Sequence, residues 1–245
     1  MVNTFTMSLK NLDSITKGKL NTLKICIWIL NLVLILLVAS CSTDKDYAPE
    51  GSRKIWQECG LQNELDPKVV EMAIEGYKKI RGKRNSETLT IIDFSKPSHK
   101  ERLYVCDLKN KKLLFKTFVA HGKNSGKLYA RNFSNKPESN KSCLGFFLTG
   151  VVYKGNLGNS LIIKGLENGI NDNAQQRHIV MHPSKFVNQK TIKSRGMIGR
   201  SLGCPAIPED LSDDIINKIK GGSCVFVYAD DKNYRSKSVF ISSKT

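Results

Sequence analysis

Met181 to Pro208 reads MHPSKFVNQKTIKSRGMIGRSLGCPAIP, and this stretch decides how the rest of the chain is understood. It holds a histidine, His182, and a cysteine, Cys204, which sits in a tight Arg200-Ser201-Leu202-Gly203-Cys204-Pro205 turn. A thiol becomes a useful nucleophile when a base or a positive field makes it a thiolate and a backbone donor holds the oxyanion. His182 is the candidate base. Gly203, lacking a side chain, lets backbone and substrate approach closely. Arg195 and Arg200 are the cations expected to favour the thiolate. The residue types and their order point to acyl transfer by a Cys/His pair.

Outward from that stretch, short strands dominate. Thr88–Phe94, Arg102–Cys106, Lys112–Ala120, Leu144–Thr149, Ser160–Lys164, His178–His182 and Ser223–Tyr228 read as strands between polar turns. Upstream, Asp66-Pro67 supplies an N-cap and a first-turn proline. Val69, Val70, Ala73, Ile74, Tyr77 and Ile80 then recur at helical spacing, with Gly82 as the expected stop. A second helix is expected over Pro208–Lys220, with Gly221-Gly222 ending it. The expected class is mainly β with flanking helices, in a sandwich or barrel-like arrangement.

The amino terminus has a different character. Ile25 to Val38 is almost continuously apolar, follows a lysine-bearing leader and ends in Ala39-Ser40-Cys41. That is the layout of a secretory signal, and the run is short for a span, which takes about 20 residues. Val38-Ala39-Ser40-Cys41 resembles the lipobox of bacterial lipoproteins, in which the cysteine becomes the acylated amino terminus. The expected organisation is a signal over 1–40, lipidation at Cys41, a tether over 41–54 and a helical segment over 55–86. A catalytic domain over 87–230 and a flexible basic tail over 231–245 complete it. Ser42 after the cysteine resembles the outer-membrane default.

The formal net charge is +17, a balance that suits anionic partners. Nucleic acid is not expected: the aromatics do not interleave with the lysines in any module pattern. Gly122-Lys123-Asn124-Ser125-Gly126-Lys127 has three residues between its glycines, where a P-loop has four. His178 and His182, four apart on a strand, would lie about 13 Å from each other, too far to share a metal ion. No CxxC pair exists. Of seven cysteines, Cys26 lies in the leader and Cys41 is the proposed anchor. Cys59, Cys106, Cys143, Cys204 and Cys224 remain, an odd number that leaves one thiol unpaired outside the cytoplasm. Cys204 is the candidate for that free thiol. The others read as buried small hydrophobes or a disulfide pair, with the pairing open.

Gly199-Arg200-Ser201-Leu202-Gly203-Cys204-Pro205-Ala206, preceded by Ile179-Val180-Met181-His182, resembles the catalytic signature of the murein L,D-transpeptidases, in their YkuD-2 branch. The likeness continues in order through His121-Gly122-Lys123-Asn124-Ser125-Gly126, Phe133-Ser134-Asn135, Leu144-Gly145-Phe146, Gly165-Leu166-Glu167-Asn168-Gly169 and Asn171-Asp172. It covers roughly Thr88 to Asp230.

The resemblance implies a β-rich catalytic domain with the cysteine in a crevice. It implies attack by Cys204 on the third, diamino-acid residue of a tetrapeptide stem, loss of D-alanine and an acyl-enzyme. A second stem's amine then resolves that intermediate into a 3→3 cross-link. His182 is the implied base, oriented by the Pro183 backbone carbonyl. Ser201 and Gly203 are expected to shape the oxyanion pocket, and Arg200, His121 and Ser125 to meet the substrate. The family's commoner pattern has a histidine where Leu202 stands, and often a basic residue after the cysteine where this chain has Pro205. Arg200 is the expected substitute cation. No metal or cofactor is expected, and the implied partners are peptidoglycan stem peptides and a membrane reached through the lipid anchor. The protein is expected to be monomeric and to face the periplasm. Hydrolysis in place of transfer, giving an L,D-carboxypeptidase, and a non-catalytic wall-binding lipoprotein are the alternatives.

Overall fold

The computed structural model describes residues 50–241 except 81, 83 and 85. The signal segment, Cys41 and the tether as far as residue 49 lie outside the described residues. Helix α1 (Glu50–Glu58) begins inside the stretch expected to be tether. Helix α2 (Pro67–Lys79) starts as its sequence dictates: Asp66 is the N-cap, its carboxylate accepts from Lys68 N at 2.8 Å, and Pro67 opens the first turn. It ends at Lys79, short of Gly82, because Ile80 N–H closes the last turn onto Gly76 O. A Cβ on Gly76 would lie 2.1 Å from Phe146 Cζ, so the helix backbone rests directly on the sheet.

The sheet has eight strands, β1 (Thr88–Asp93), β2 (Leu103–Asp107), β3 (Lys112–Thr117), β4 (Gly145–Gly155), β5 (Gly158–Gly165), β6 (Val180–Ser184), β7 (Ala206–Pro208) and β8 (Cys224–Tyr228). Their order is β3-β2-β1-β8-β4-β5-β6-β7. Pairing is antiparallel except at β1–β8 and β6–β7. β1 and β8 are buried along their whole lengths, as expected of central strands covered on both faces. Helix α2 and helix α4 (Ser212–Ile219) supply part of that cover through Val70, Ile74, Ile215 and Ile219. Beyond β3 the chain reaches the opposite edge: Ala120 N donates to Ala206 O at 2.8 Å, and Gly122 bridges Ser201. The sheet therefore nearly closes on itself, and the mainly β class read from the sequence is the class observed.

Three elements were not foreseen. β7 is three residues long, follows Pro205 and ends on Pro208, which hides any strand signal. Helix α3 (Gln189–Arg195) exposes or half-exposes every residue, so it lacks an apolar stripe; its marks are the Asn188 N-cap and left-handed Gly196 at its end. The expected flexible tail is ordered through Ile241. Helix α5 (Lys232–Lys237) buries Tyr234, and Phe240 and Ile241 enter the core. Ser238 Oγ meanwhile bonds to the buried carboxylate of Glu167. A Lys/Ser-rich composition concealed these few anchors.

Candidate active site

Strand β6 carries His182, and the turn before β7 carries Cys204. The parallel register pairs His182 with Ala206, and His182 N donates to Pro205 O at 3.4 Å. Residues separated by twenty-one positions thus become neighbours across two strands. Val180 and His182 share one face of β6, since side chains alternate. Along the strand edge that faces β7, Val180 N donates to Cys204 Sγ at 3.5 Å. The thiol in turn donates to His178 O at 3.6 Å. His178 was expected within the strand. It instead precedes it with φ 52, the left-handed geometry that aims its carbonyl at the sulfur.

The His182 ring is 8% exposed, and its Nδ1 lies 2.8 Å from Pro183 O. A carbonyl only accepts, so Nδ1 carries the proton and Nε2 is left as the acceptor in the neutral ring. Among the described residues the hydrogen-bonding partners of Sγ are Val180 and His178, not the imidazole. Burial pushes the Cys204 thiol up, while the Val180 N–H and the Arg177 charge pull it down, and burial prevails.

The turn itself is held by one hydroxyl. Ser201 Oγ donates to Cys204 O at 2.6 Å and accepts from Gly203 N at 3.1 Å. Gly203 N–H is therefore engaged inside the turn, whereas the Cys204 N–H lies beside its own sulfur. Gly203 has φ 132, and a Cβ there would lie 3.0 Å from both Ile179 Cδ1 and Lys141 O. Only glycine satisfies both the backbone angle and the space. Leu202, at the crest of the turn, is 65% exposed.

His121 and Ser125 are placed differently from a substrate-contact role. Both are fully buried. Arg102 Nη2 donates to His121 Nδ1 at 2.8 Å, so His121 Nε2 carries the hydrogen that faces Gly126 O at 3.3 Å. Burial, followed by the Arg102 charge, pushes His121 down to about 4. Ser125 Oγ accepts from Ser142 N at 2.9 Å. Ser142 Oγ then accepts from Gly122 N and donates to Gly203 O, at 3.0 and 3.2 Å. The His121–Ser125 stretch is thus the bracket behind the Cys204 turn. Arg200 donates Nη1 to Lys123 O and Gly126 O, both at 3.0 Å, and braces that bracket from the exposed side.

The expectation that Arg195 and Arg200 set the field on the thiol is corrected: the cation acting on Cys204 is Arg177. It stands just ahead of β6, one residue before the strand expected from His178, at a position given no role in the sequence. Its place just ahead of the strand bearing His182 was the available signal. Cys143 is buried, and burial raises its thiol to about 11. Cys59, Cys106 and Cys224 are buried as well, the first two with their thiols in contact, and all five cysteines are free. Among the described residues no three His, Cys, Asp or Glu side chains are placed to hold a metal ion.

The domain is β-rich and presents Cys204 from a glycine turn just ahead of β7, the strand that pairs with the one carrying His182. The YkuD_2 family model, the L,D-transpeptidase catalytic domain, matches residues 61–228, and the chain belongs to that family. Among solved structures, it is similar to an L,D-transpeptidase from Mycobacterium smegmatis, at 14% identity and TM-score 0.37, covering 59% of this chain and 60% of that one. It is also similar to an L,D-transpeptidase from Stackebrandtia nassauensis, at 15% identity and TM-score 0.36, over 73% and 76% of the two chains. A third likeness is to the helical cell shape determining protein Pgp2 of Campylobacter jejuni, at 15% identity and TM-score 0.37, over 76% and 58%. No curated protein gives a sequence match.

Proposed function

We propose that the protein is a cysteine L,D-transpeptidase that joins peptidoglycan stems by 3→3 cross-links, with Cys204 as nucleophile and His182 as base. The observation that carries this reading is the His182 Nδ1 contact with Pro183 O at 2.8 Å. It leaves Nε2 as the free acceptor of a ring whose strand pairs with the segment directly after Cys204. A buried thiol with a raised pKa needs such a base.

In this reading His182 Nε2 takes the thiol proton as sulfur attacks the stem carbonyl. The S–C bond forms, the Cys204 N–H meets the oxyanion, and the C–N bond to D-alanine breaks with the proton returned to the leaving amine. The amine of a second stem then attacks the thioester, the S–C bond breaks, and the thiol is restored. The surplus of positive charge suits the anionic wall. The same reading places the chain at the outer membrane, facing the periplasm as a monomer held by acylated Cys41.

The test is incubation with a purified tetrapeptide muropeptide, read by mass spectrometry. Dimers linked 3→3 support transfer, tripeptide alone means an L,D-carboxypeptidase, and unchanged substrate means a wall-binding protein. Cys204→Ala is expected to lower dimer formation by more than about a thousandfold while melting where the parent does. Dimers made by that variant would remove Cys204 from the role.

A further inference from the structure

Arg177 lies in the turn between Asp172–Ala174 and β6, away from the turn that carries Cys204 in sequence. Its guanidinium ties down a separate loop: Nη1 donates to Ser134 O at 2.5 Å, and Nη2 to Lys141 O at 2.6 Å and Ser139 Oγ at 3.2 Å. The same Nη2 would be 3.4 Å from a Cβ on Gly203, and Lys141 O would be 3.0 Å from it. The guanidinium and the carbonyl it holds therefore form the wall against which Gly203 is packed. Those partners are carbonyls and a hydroxyl; no acidic side chain is among them. Arg177 thus keeps an uncancelled positive charge against the back of the nucleophile's turn.

We propose that Arg177 is a positioning residue for Cys204, holding the 134–141 loop as a backstop for Gly203 and setting a positive charge behind the turn, whose own Arg200 is directed to Lys123 O and Gly126 O instead. Several other groups face the sulfur. His178 offers its carbonyl and Val180 its N–H from the β6 side. His182 follows two residues along β6 from Val180, and Cys143 lies near enough to sense the Cys204 charge. Arg177 is the one cation acting on the thiol among the described residues. Arg200, by contrast, acts on His121. The two jobs are joined in one side chain: the bonds fix where the guanidinium stands, and the fixed charge then favours the thiolate as it forms.

The inference rests on Cys204 being the nucleophile, but its test needs no peptidoglycan. The rate of Cys204 alkylation by iodoacetamide is followed against pH, with modification at Cys204 assigned by peptide mass. Arg177→Gln keeps a donor and removes the charge, and is expected to move the alkylation midpoint up by about one pH unit, slowing the reaction roughly tenfold at neutral pH. Arg177→Lys keeps the charge and loses the fork, and is expected to stay within about 0.3 pH unit of the parent. A purely structural arginine would make the two variants titrate alike. Equal midpoints, or a Gln variant that titrates like the parent, would overturn the proposal. Arg177→Met provides a second neutral replacement if the Gln variant does not fold, with folding read by circular dichroism. Loss of cross-linking alongside a normal alkylation profile would bear on the proposed reaction and leave this inference standing.

Discussion

The floor beneath helix α2 and the turn that presents Cys204 are built by opposite means. Under the helix, Phe146 stacks on Phe226 with centroids 4.4 Å apart and meets Phe240 at 5.4 Å, and volume complementarity does most of the work. At the turn, almost nothing apolar is gained. Ser201, Ser142, Ser125, Arg177 and Arg200 hold backbone groups one at a time. One region resists deformation because any movement opens a void. The other keeps its shape because a handful of polar bonds allow a single arrangement. Stability and catalytic geometry are therefore expected to respond to different substitutions.

The sharpest separation should come from Phe146→Ala. It empties a fully buried ring site and is expected to cost about 4 kcal/mol, lowering the melting temperature by roughly 10 °C. Alkylation of Cys204 in the still-folded protein should be unchanged. A changed alkylation rate at low temperature would show that the two regions are coupled.

Asn171→Ala comes next. Its amide bonds Leu144 O, Phe146 O and Glu167 N at 2.8, 3.1 and 2.9 Å, all inside the protein. Leaving those groups unpaired should cost about 2–3 kcal/mol by denaturant titration. A cost near zero would mean that the loop after β5 can reorganise.

His121 tests the rim through pH. Its folded-state pKa is depressed to about 4, against 6.5 for the free side chain. The unfolded chain therefore binds the extra proton first. The stability due to neutral His121 is complete above 6.5 and drains away as pH falls towards 4, by an amount on the order of 3 kcal/mol. His121→Gln should flatten that part of the stability curve; an unchanged curve would assign the slope to other groups.

The smallest stability effect belongs to Ser201→Ala, about 1 kcal/mol for two lost bonds. Its effect on cross-linking should still reach roughly tenfold, because the turn that aims Cys204 loses its clasp. A large stability loss with normal turnover would reverse the contrast between the two regions.

What could be read in the chain beforehand follows the same division. Helix α2 announced itself through its cap, its proline and its apolar stripe, and the central strands through their apolar runs. Cys204, Gly203 and His182 stood out because a thiol in a glycine turn and a lone imidazole are chemically conspicuous. Arg177 did not, since its importance lies in reaching Ser134 and Lys141, contacts that no local pattern encodes. His121 and Ser125 were located but misjudged: a polar residue in a loop reads as exposed, and nothing short of the packed structure reveals that both face inward. β7 was missed because three residues, the last a proline and preceded by another, carry no periodicity, although the pairing with β6 is what brings His182 towards the Cys204 turn.

That pairing has a practical corollary. Because β6 and β7 run the same way, the chain between them must travel back over residues 185–205, a return that includes α3. Val187 and Phe186 at its start pack against Ala120, Ile198 and Ala206, whereas the exposed face of α3 (Gln189, Lys190, Lys193, Ser194 and Arg195) is free to vary in composition. It is the natural place to graft a reporter tag or a recognition loop, or to exchange segments between relatives, without retuning the chemistry.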